Sequence, residues 1–265
     1  MKFTVLMPVH NAIELSIFRK SVNSVINNIL PPSEFLIIID GKISYQKKIF
    51  LFQEKKKNKF MNVIFKKKSG LVKILNFGLK KAKYNLVARA DADDFNHKNR
   101  FLEQVNFFKK NKVDILGSYI DETIGRKKFI KRVPANPNLL HFCFINPVNH
   151  NTVMFYRDKI IKLGSYPGIK YKEDYALWFS AKLAGYTVKN LNIPLVNSVF
   201  DVKKIKRRKN LRAIYLELEL FFFILKKNIL LIFILPFSFL LRIIFLMLPA
   251  PIFLSFLKKI NRLKN

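Results

Sequence analysis

"PPSEFLIIIDG", residues 31 to 41, decides the architecture. The prolines end any helix before them, because proline lacks the amide hydrogen and clashes with the carbonyl one turn back. From Glu34 to Asp40 the run is almost continuously apolar, the pattern of a strand covered on both faces. It stops at Asp40 and Gly41, a turn signal. A strand buried on both sides needs helices above and below, so helices are expected in the flanking segments.

Upstream, Phe3 to Met7 reads as a short buried strand, and Ala12 to Ile29 places Leu15, Phe18, Val22, Val25, Ile26 and Ile29 at helical spacing. Downstream the signals alternate: "MNVIF" (61–65, strand), "LVKILNFGLKKA" (71–82, helix), "NLVARAD" (85–91, strand), "RFLEQVNFFKKN" (100–111, helix) and "VDILGS" (113–118, strand). Such alternation predicts right-handed βαβ units, an α/β fold and a mostly parallel central sheet. Ligands in these sheets bind beyond the carboxyl ends of the strands. Asp40 and Asp91 both fall at strand ends, so they are expected to share one cleft.

With 265 residues the chain has room for one main domain and an appendage. Lysine and arginine number 49 against 17 acidic residues, a net charge of +32, which invites a nucleic-acid reading. Lysine is nevertheless spread over most of the chain, the mark of a compositional bias more than of a groove. No nucleic-acid partner is expected; a basic surface suits anionic lipid head groups and phosphorylated substrates. The single cysteine, Cys143, rules out an intramolecular disulfide and a thiol-based metal site, which fits a reducing cytoplasm. The apolar run before Pro8 and His10 is too short for a signal-peptide core, so the front is expected to stay inside.

The character changes near residue 205. "KIKRRKNLR" is basic, and Ile229 to Leu257 is a run of 29 residues with one charge, Arg242, and three prolines. A single span needs ~20 apolar residues, but the central arginine and the prolines count against a straight one. Lys226 and Lys227 precede the run and Lys258, Lys259 and Arg262 follow it. Positive flanks that stay cytoplasmic predict a segment that re-enters or lies in the interface, at the anionic membrane surface. The alternative is a buried helical hairpin of a soluble domain. The expected division is a main domain over 1–204 and a basic, apolar, helical membrane-associated region over 205–265.

"ARADADDFN", residues 88 to 96, places Asp91, Asp93 and Asp94 within four residues of a chain poor in acids. Where a strand gives way to a loop, one carboxylate can meet a metal while another meets a sugar hydroxyl. Hard divalent cations prefer one or two carboxylates together with phosphate oxygens, and such an ion improves a diphosphate leaving group. Taken alone the stretch also reads as a helix cap, with Asp94 or Asn96 capping a helix that begins near His97.

The order and spacing of "VLMPVHNA", "PPSEFLIIIDG", "SGLVKILNFGLKKA", "YNLVARADADDFNHKNRFLEQVNFF", "NHNTVMFYR" and "YKEDYALWFSAKLAGY" resemble the family 2 glycosyltransferases of GT-A fold, over roughly residues 3 to 200. The nearest subgroup builds bacterial exopolysaccharide, capsule and lipopolysaccharide. The resemblance implies that Pro8, Val9 and His10 line the nucleotide pocket of a nucleotide-sugar donor and that Asp40 bonds the base. It places Asp91 by the ribose and donor sugar, Asp93 on Mg²⁺ or Mn²⁺, and Asp174 as general base with Glu173 beside it. Arg89 and Lys73 are candidates for phosphate. Inversion at the anomeric carbon needs such a base to take the acceptor's proton. The implied acceptor is a lipid-linked saccharide at the cytoplasmic face of the bacterial inner membrane.

Each residue also has a plainer reading. Glu173 and Asp174 could serve the dipole of the helix they begin, Trp178 reads as core packing more than as a sugar platform, and His150 as either a contact to donor or acceptor or a satisfied, partly buried histidine. The chain departs from the family where an arginine of a "YR" pair is common: it reads "LVNSVFD", with Arg207 and Arg208 as possible substitutes. Two other functions remain open at this stage, a basic nucleic-acid-binding protein and an inactive membrane scaffold. Intact Asp40, Asp91, Asp93 and Asp174 speak against the scaffold.

Overall fold

The computed structural model describes residues 1–124, 127–199 and 211–248. The first third runs β1 (Phe3–Val9), α1 (Leu15–Ile26), β2 (Glu34–Asp40), α2 (Tyr45–Lys57), β3 (Met61–Lys66), α3 (Leu71–Lys81) and β4 (Leu86–Arg89). These four strands lie side by side and parallel in the order β3-β2-β1-β4. Five consecutive residues of β2, Phe35 to Ile39, have 0% exposure, so both faces are covered. Their side chains alternate: Leu36 and Ile38 pack with Leu6, Ile74 and Leu79, while Phe35, Ile37 and Ile39 pack with Phe18, Val22 and Val25. Helix α3 therefore covers one face and α1 the other. Gly78 lets α3 press close, since a Cβ there would stand 2.5 Å from a methyl of Leu6.

The chain continues through β5 (Phe95–Asn96), α4 (Arg100–Lys110), β6 (Ile115–Ile124), β7 (Lys127–Lys131), α5 (Leu139–Phe144), β8 (Met154–Tyr156), α6 (Arg157–Lys162), α7 (Glu173–Leu183) and β9 (Val188–Val199). The whole sheet has the order β3-β2-β1-β4-β8-β6-β9-β5, with β7 on β6. It is mixed, and the expected mostly parallel sheet is corrected here. Strand β8 enters between β4 and β6 and runs antiparallel to both, Phe155 pairing with Val87 on one side and Ile115 on the other. The first half could be read because each crossover helix enforces parallel neighbours. Helix α2, for which no expectation was made, buries only Lys47, Phe50 and Leu51 and so carries no clean apolar stripe.

Two further helices, α8 (Leu211–Lys227) and α9 (Leu235–Met247), pack on each other, with a short 3-10 turn over Ile229–Phe233 between them. Leu220, Ile224, Leu231 and Leu235 join the core cluster that contains Trp178. Phe222, Phe233, Phe237, Leu240 and Met247 face outward, Phe233 with 85% of its surface exposed. Among the described residues no helix is long and apolar enough to cross a membrane.

Candidate active site

Because β1, β2 and β4 are parallel neighbours, their carboxyl ends open at one edge of the sheet. There Pro8, Val9, His10, Asp40, Arg89, Asp91 and Asp93 line a single cavity of about 290 Å³. The structure thus brings together these seven of the residues assigned to the donor or the metal from sequence. Ile13, Leu71 and Ile74 complete the wall and were not anticipated, since apolar wall positions look like any other core residue in sequence. Lys73 is not in that lining.

The carboxylate of Asp40 accepts backbone N–H bonds from Ser69 (2.6 Å) and Gly70 (3.1 Å), tying the end of β2 to the start of α3. Gly70 has φ +90°, a left-handed conformation that costs glycine little. Each carboxylate oxygen keeps a second lone pair for a ligand.

Arg89 is buried, with Nη1 2.8 Å from Asp91 Oδ1. Burial is the largest single influence and opposes its charge, but Asp91, Tyr166, Asp174 and Glu173 together outweigh it, so its pKa stands above the ordinary guanidinium value. That shared field joins the β4 end to the start of α7 in one electrostatic site. Beneath them Arg100 is fully buried and donates to the Asn96 side chain, to Gln104 Oε1 (3.2 Å) and to the Arg89 carbonyl (2.7 Å). Burial lowers its pKa to about 9, still charged at neutral pH. Sequence reading passed over Arg100 because an arginine at a helix start is ordinarily solvated.

Carboxylate oxygens of Asp91, Asp93 and Asp94 lie within 4.8 Å of one another. Asp94 is buried, accepts a bond from Asn151, and is pushed up to about 7 by burial and then by the charge of Asp91. It caps no helix, and neither does Asn96: α4 begins after Asn99, which makes no side-chain cap bond, and Asn96 pairs with Val196 of β9. Like charges this close disfavour ionisation. A hard divalent cation would relieve them, and an all-oxygen donor set suits Mg²⁺ or Mn²⁺.

Asp174 stands in the first turn of α7, where Asn146 Nδ2 donates to its Oδ2 at 2.8 Å and His150 Nδ1 lies 3.9 Å away. Glu173 is more buried, and burial pushes its carboxyl above the usual range. His150, 3.0 Å from the Tyr166 hydroxyl, is held well below the usual imidazole range by burial and then by Arg89, and is neutral. Trp178 has 0% exposure against His150, Phe155 and Tyr166, which makes it core and not a sugar platform. Asp174 is not in the lining of the donor cavity, and it reaches that cavity's neighbourhood through Arg89. Phe200, Arg207 and Arg208 lie outside the described residues.

Carboxylates gathered at strand ends beside a charged arginine suit a diphosphate and its metal, and in this mixed α/β fold they define a GT-A-like sugar transferase. Residues 4–166 match glycosyl transferase family 2, and the chain belongs to that family. Over 223 residues it is 32% identical to the UDP-Gal:alpha-D-GlcNAc-diphosphoundecaprenol beta-1,3-galactosyltransferase of Escherichia coli, covering 82% of this chain and 81% of that one. The amylovoran biosynthesis glycosyltransferase AmsE of Erwinia amylovora is 30% identical, with 83% and 84% covered. Among solved structures, S. aureus TarS 1-349 in complex with UDP-GlcNAc superposes with a TM-score of 0.67 at 20% identity, covering 86% of this chain and 68% of that one. The protein is a glycosyltransferase whose relatives serve bacterial polysaccharide biosynthesis.

Proposed function

We propose that the enzyme moves a sugar, with inversion, from a uridine diphosphate donor to a hydroxyl of a lipid-linked saccharide at the cytoplasmic face of the membrane. The observation that carries this reading is the meeting of the β1, β2 and β4 ends in one cavity, with Asp174 close enough to act on Arg89. The donor class is supported by the E. coli relative, whose name specifies UDP-Gal, and by TarS, solved with UDP-GlcNAc. The acceptor class is supported by the diphosphoundecaprenol in that relative's name.

In this reading Pro8, Val9 and His10 hold the nucleotide, with Asp40 on the base. Asp91, oriented by Arg89, bonds the ribose and donor sugar. A cation on Asp93, with Asp91 and Asp94 alongside, would supply charge neutralisation to the departing diphosphate. Asp174, oriented by Asn146, takes the proton from the acceptor hydroxyl as that oxygen attacks the anomeric carbon opposite the leaving group. The outward phenylalanines of α8 and α9, with Lys226 and Lys227 at their edge, dock on an anionic bilayer and bring the site to its acceptor. The region from 205 onward is therefore the membrane-associated part and 1–204 the catalytic part.

The test is a panel of nucleotide sugars with a GlcNAc-diphospholipid acceptor, with and without Mg²⁺ or Mn²⁺, for the wild-type protein and Asp93→Ala. A UDP-sugar should be turned over in a metal-dependent way and the variant should lose turnover. No turnover with any donor, or a variant equal to wild type, would overturn the reading.

A further inference from the structure

The hairpin of α8 and α9 turns its apolar side outward, yet its inner side carries two charges into the protein. Glu217 of α8 and Arg242 of α9 have side chains only 4% and 11% exposed, with Arg242 Nε 3.5 Å from Glu217 Oε2. Lys172, which immediately precedes Glu173 and Asp174, forms an ion pair with Glu217 Oε1. Arg242 Nη1 donates to the hydroxyl of Tyr175 at 3.2 Å, and that hydroxyl donates to the carbonyl of Phe142 at 2.7 Å. The residues on either side of the Glu173-Asp174 pair are thus both held by the C-terminal helices.

A second route reaches the same carboxylate. Asn146, which donates to Asp174, lies just beyond α5. Phe144, the last residue of α5, meets Phe237 of α9 edge to face, with ring centroids 6.2 Å apart. The Glu173 carboxylate also accepts from backbone N–H groups at the start of α7, those of Glu173 and Tyr171. The N-cap residue of α7, Lys172, makes no side-chain cap bond, and Tyr171 before it holds a left-handed backbone at φ 63°. A hairpin that only covered the core could do so more cheaply with apolar residues, because buried ion pairs recover little of their desolvation cost. The charges of Glu217 and Arg242 are instead spent on the two residues that bracket the acid pair.

We propose that Glu217, Arg242 and Tyr175 are positioning residues for Asp174: the ionic clasp from the C-terminal hairpin sets the carboxylate's place against the acceptor hydroxyl. The inference rests on the reading of Asp174 as the base. A misplacement of ~1 Å in a catalytic group can cost on the order of 10²-fold in rate. The donor cavity is built from β1, β2 and β4 and does not include the clasp, so the loss should fall on kcat and not on the donor KM.

The experiment compares Glu217→Gln, Tyr175→Phe and Asp174→Asn in the full-length protein, using the donor that turns over in the panel and the GlcNAc-diphospholipid acceptor. The protein's single tryptophan, Trp178, lies on α7, so its buried emission reports that this helix and its core are intact. With that emission unchanged, Glu217→Gln should lower kcat by about tenfold to a hundredfold while donor KM stays within about twofold. Tyr175→Phe, which removes one hydroxyl, should fold normally and show a smaller loss of the same kind, and Glu217→Asp should restore part of the rate. Wild-type kcat in folded Glu217→Gln and Tyr175→Phe, with Asp174→Asn inactive, would overturn the positioning role alone. Near-normal turnover by Asp174→Asn would overturn the base assignment and the positioning role with it.

Discussion

The buried carboxyl of Asp94 makes the metal-free protein lose stability as pH rises. In the fold this group titrates at about 7, against an ordinary value of 3.8 for the unfolded chain, because burial and Asp91 disfavour its ionised form. An acid whose folded pKa is raised leaves the protein most stable below the unfolded value. Stability then falls as pH climbs from about 3.8 to about 7, since the unfolded chain releases its proton more readily. Each pKa unit is worth about 1.4 kcal/mol, so the total is roughly 4 kcal/mol, and about half of it falls between pH 5.5 and pH 8. For a domain of this size ~2 kcal/mol corresponds to a Tm lower by about 4–8 °C at the higher pH. The assay is thermal unfolding in EDTA at the two pH values for wild type and Asp94→Asn, whose neutral amide cannot titrate. The difference between the two proteins in their pH response isolates Asp94 from Glu173 and His150. Adding Mg²⁺ or Mn²⁺ should raise Tm more at pH 8 than at pH 5.5, because the ligands must be deprotonated to bind. Equal pH responses in the two proteins would refute the reasoning.

Two further perturbations address other parts of the site. Asp174→Asn keeps the bond from Asn146 available in shape but cannot accept a proton; turnover should fall on the order of 10²- to 10⁴-fold, with UDP affinity measured by calorimetry unchanged. A drop in UDP affinity matching the drop in rate would assign Asp174 to the donor instead. Phe233→Ser, at a residue 85% exposed and outside the core clusters, should leave Tm within about 1 °C and weaken sedimentation with phosphatidylglycerol vesicles. Unchanged sedimentation would remove Phe233 from the lipid-facing surface.

What the sequence disclosed followed from how local each signal is. The parallel unit could be read from "EFLIIID" and its helical neighbours, because a doubly buried strand leaves no polar alternation. Asp40 and Asp91 could be placed in one cleft because parallel strands put their carboxyl ends on one edge. Strand β8 could not be placed, since three residues, Met154–Tyr156, carry no direction in their pattern. Arg100 was likewise invisible: its partners Asn96, Gln104 and the Arg89 carbonyl come together only when α4 crosses beneath the β4 end. The apolar C-terminal run was conspicuous, but the role of its lone Arg242 depends on Glu217, 25 positions earlier, which no periodicity connects to it.

The charge of the chain and the charge of the site have opposite signs. Over the whole chain a formal +32 would draw anionic molecules and surfaces toward the protein from a distance. Around the cleft Asp91, Asp174 and Glu173 act on the buried Arg89, Asp91 and Asp94 act on the buried Arg100, and Asp40 and Asp93 line the cavity, so carboxylates outnumber guanidinium groups. A diphosphate arriving there would meet net negative charge unless a cation came with it. The arginines hold the strand end in shape but are already engaged, Arg89 by Asp91 and Arg100 by three acceptors. An excess of carboxylate over arginine suits a metal-bound diphosphate better than a simple anion, even in a chain with nearly three basic residues for every acid.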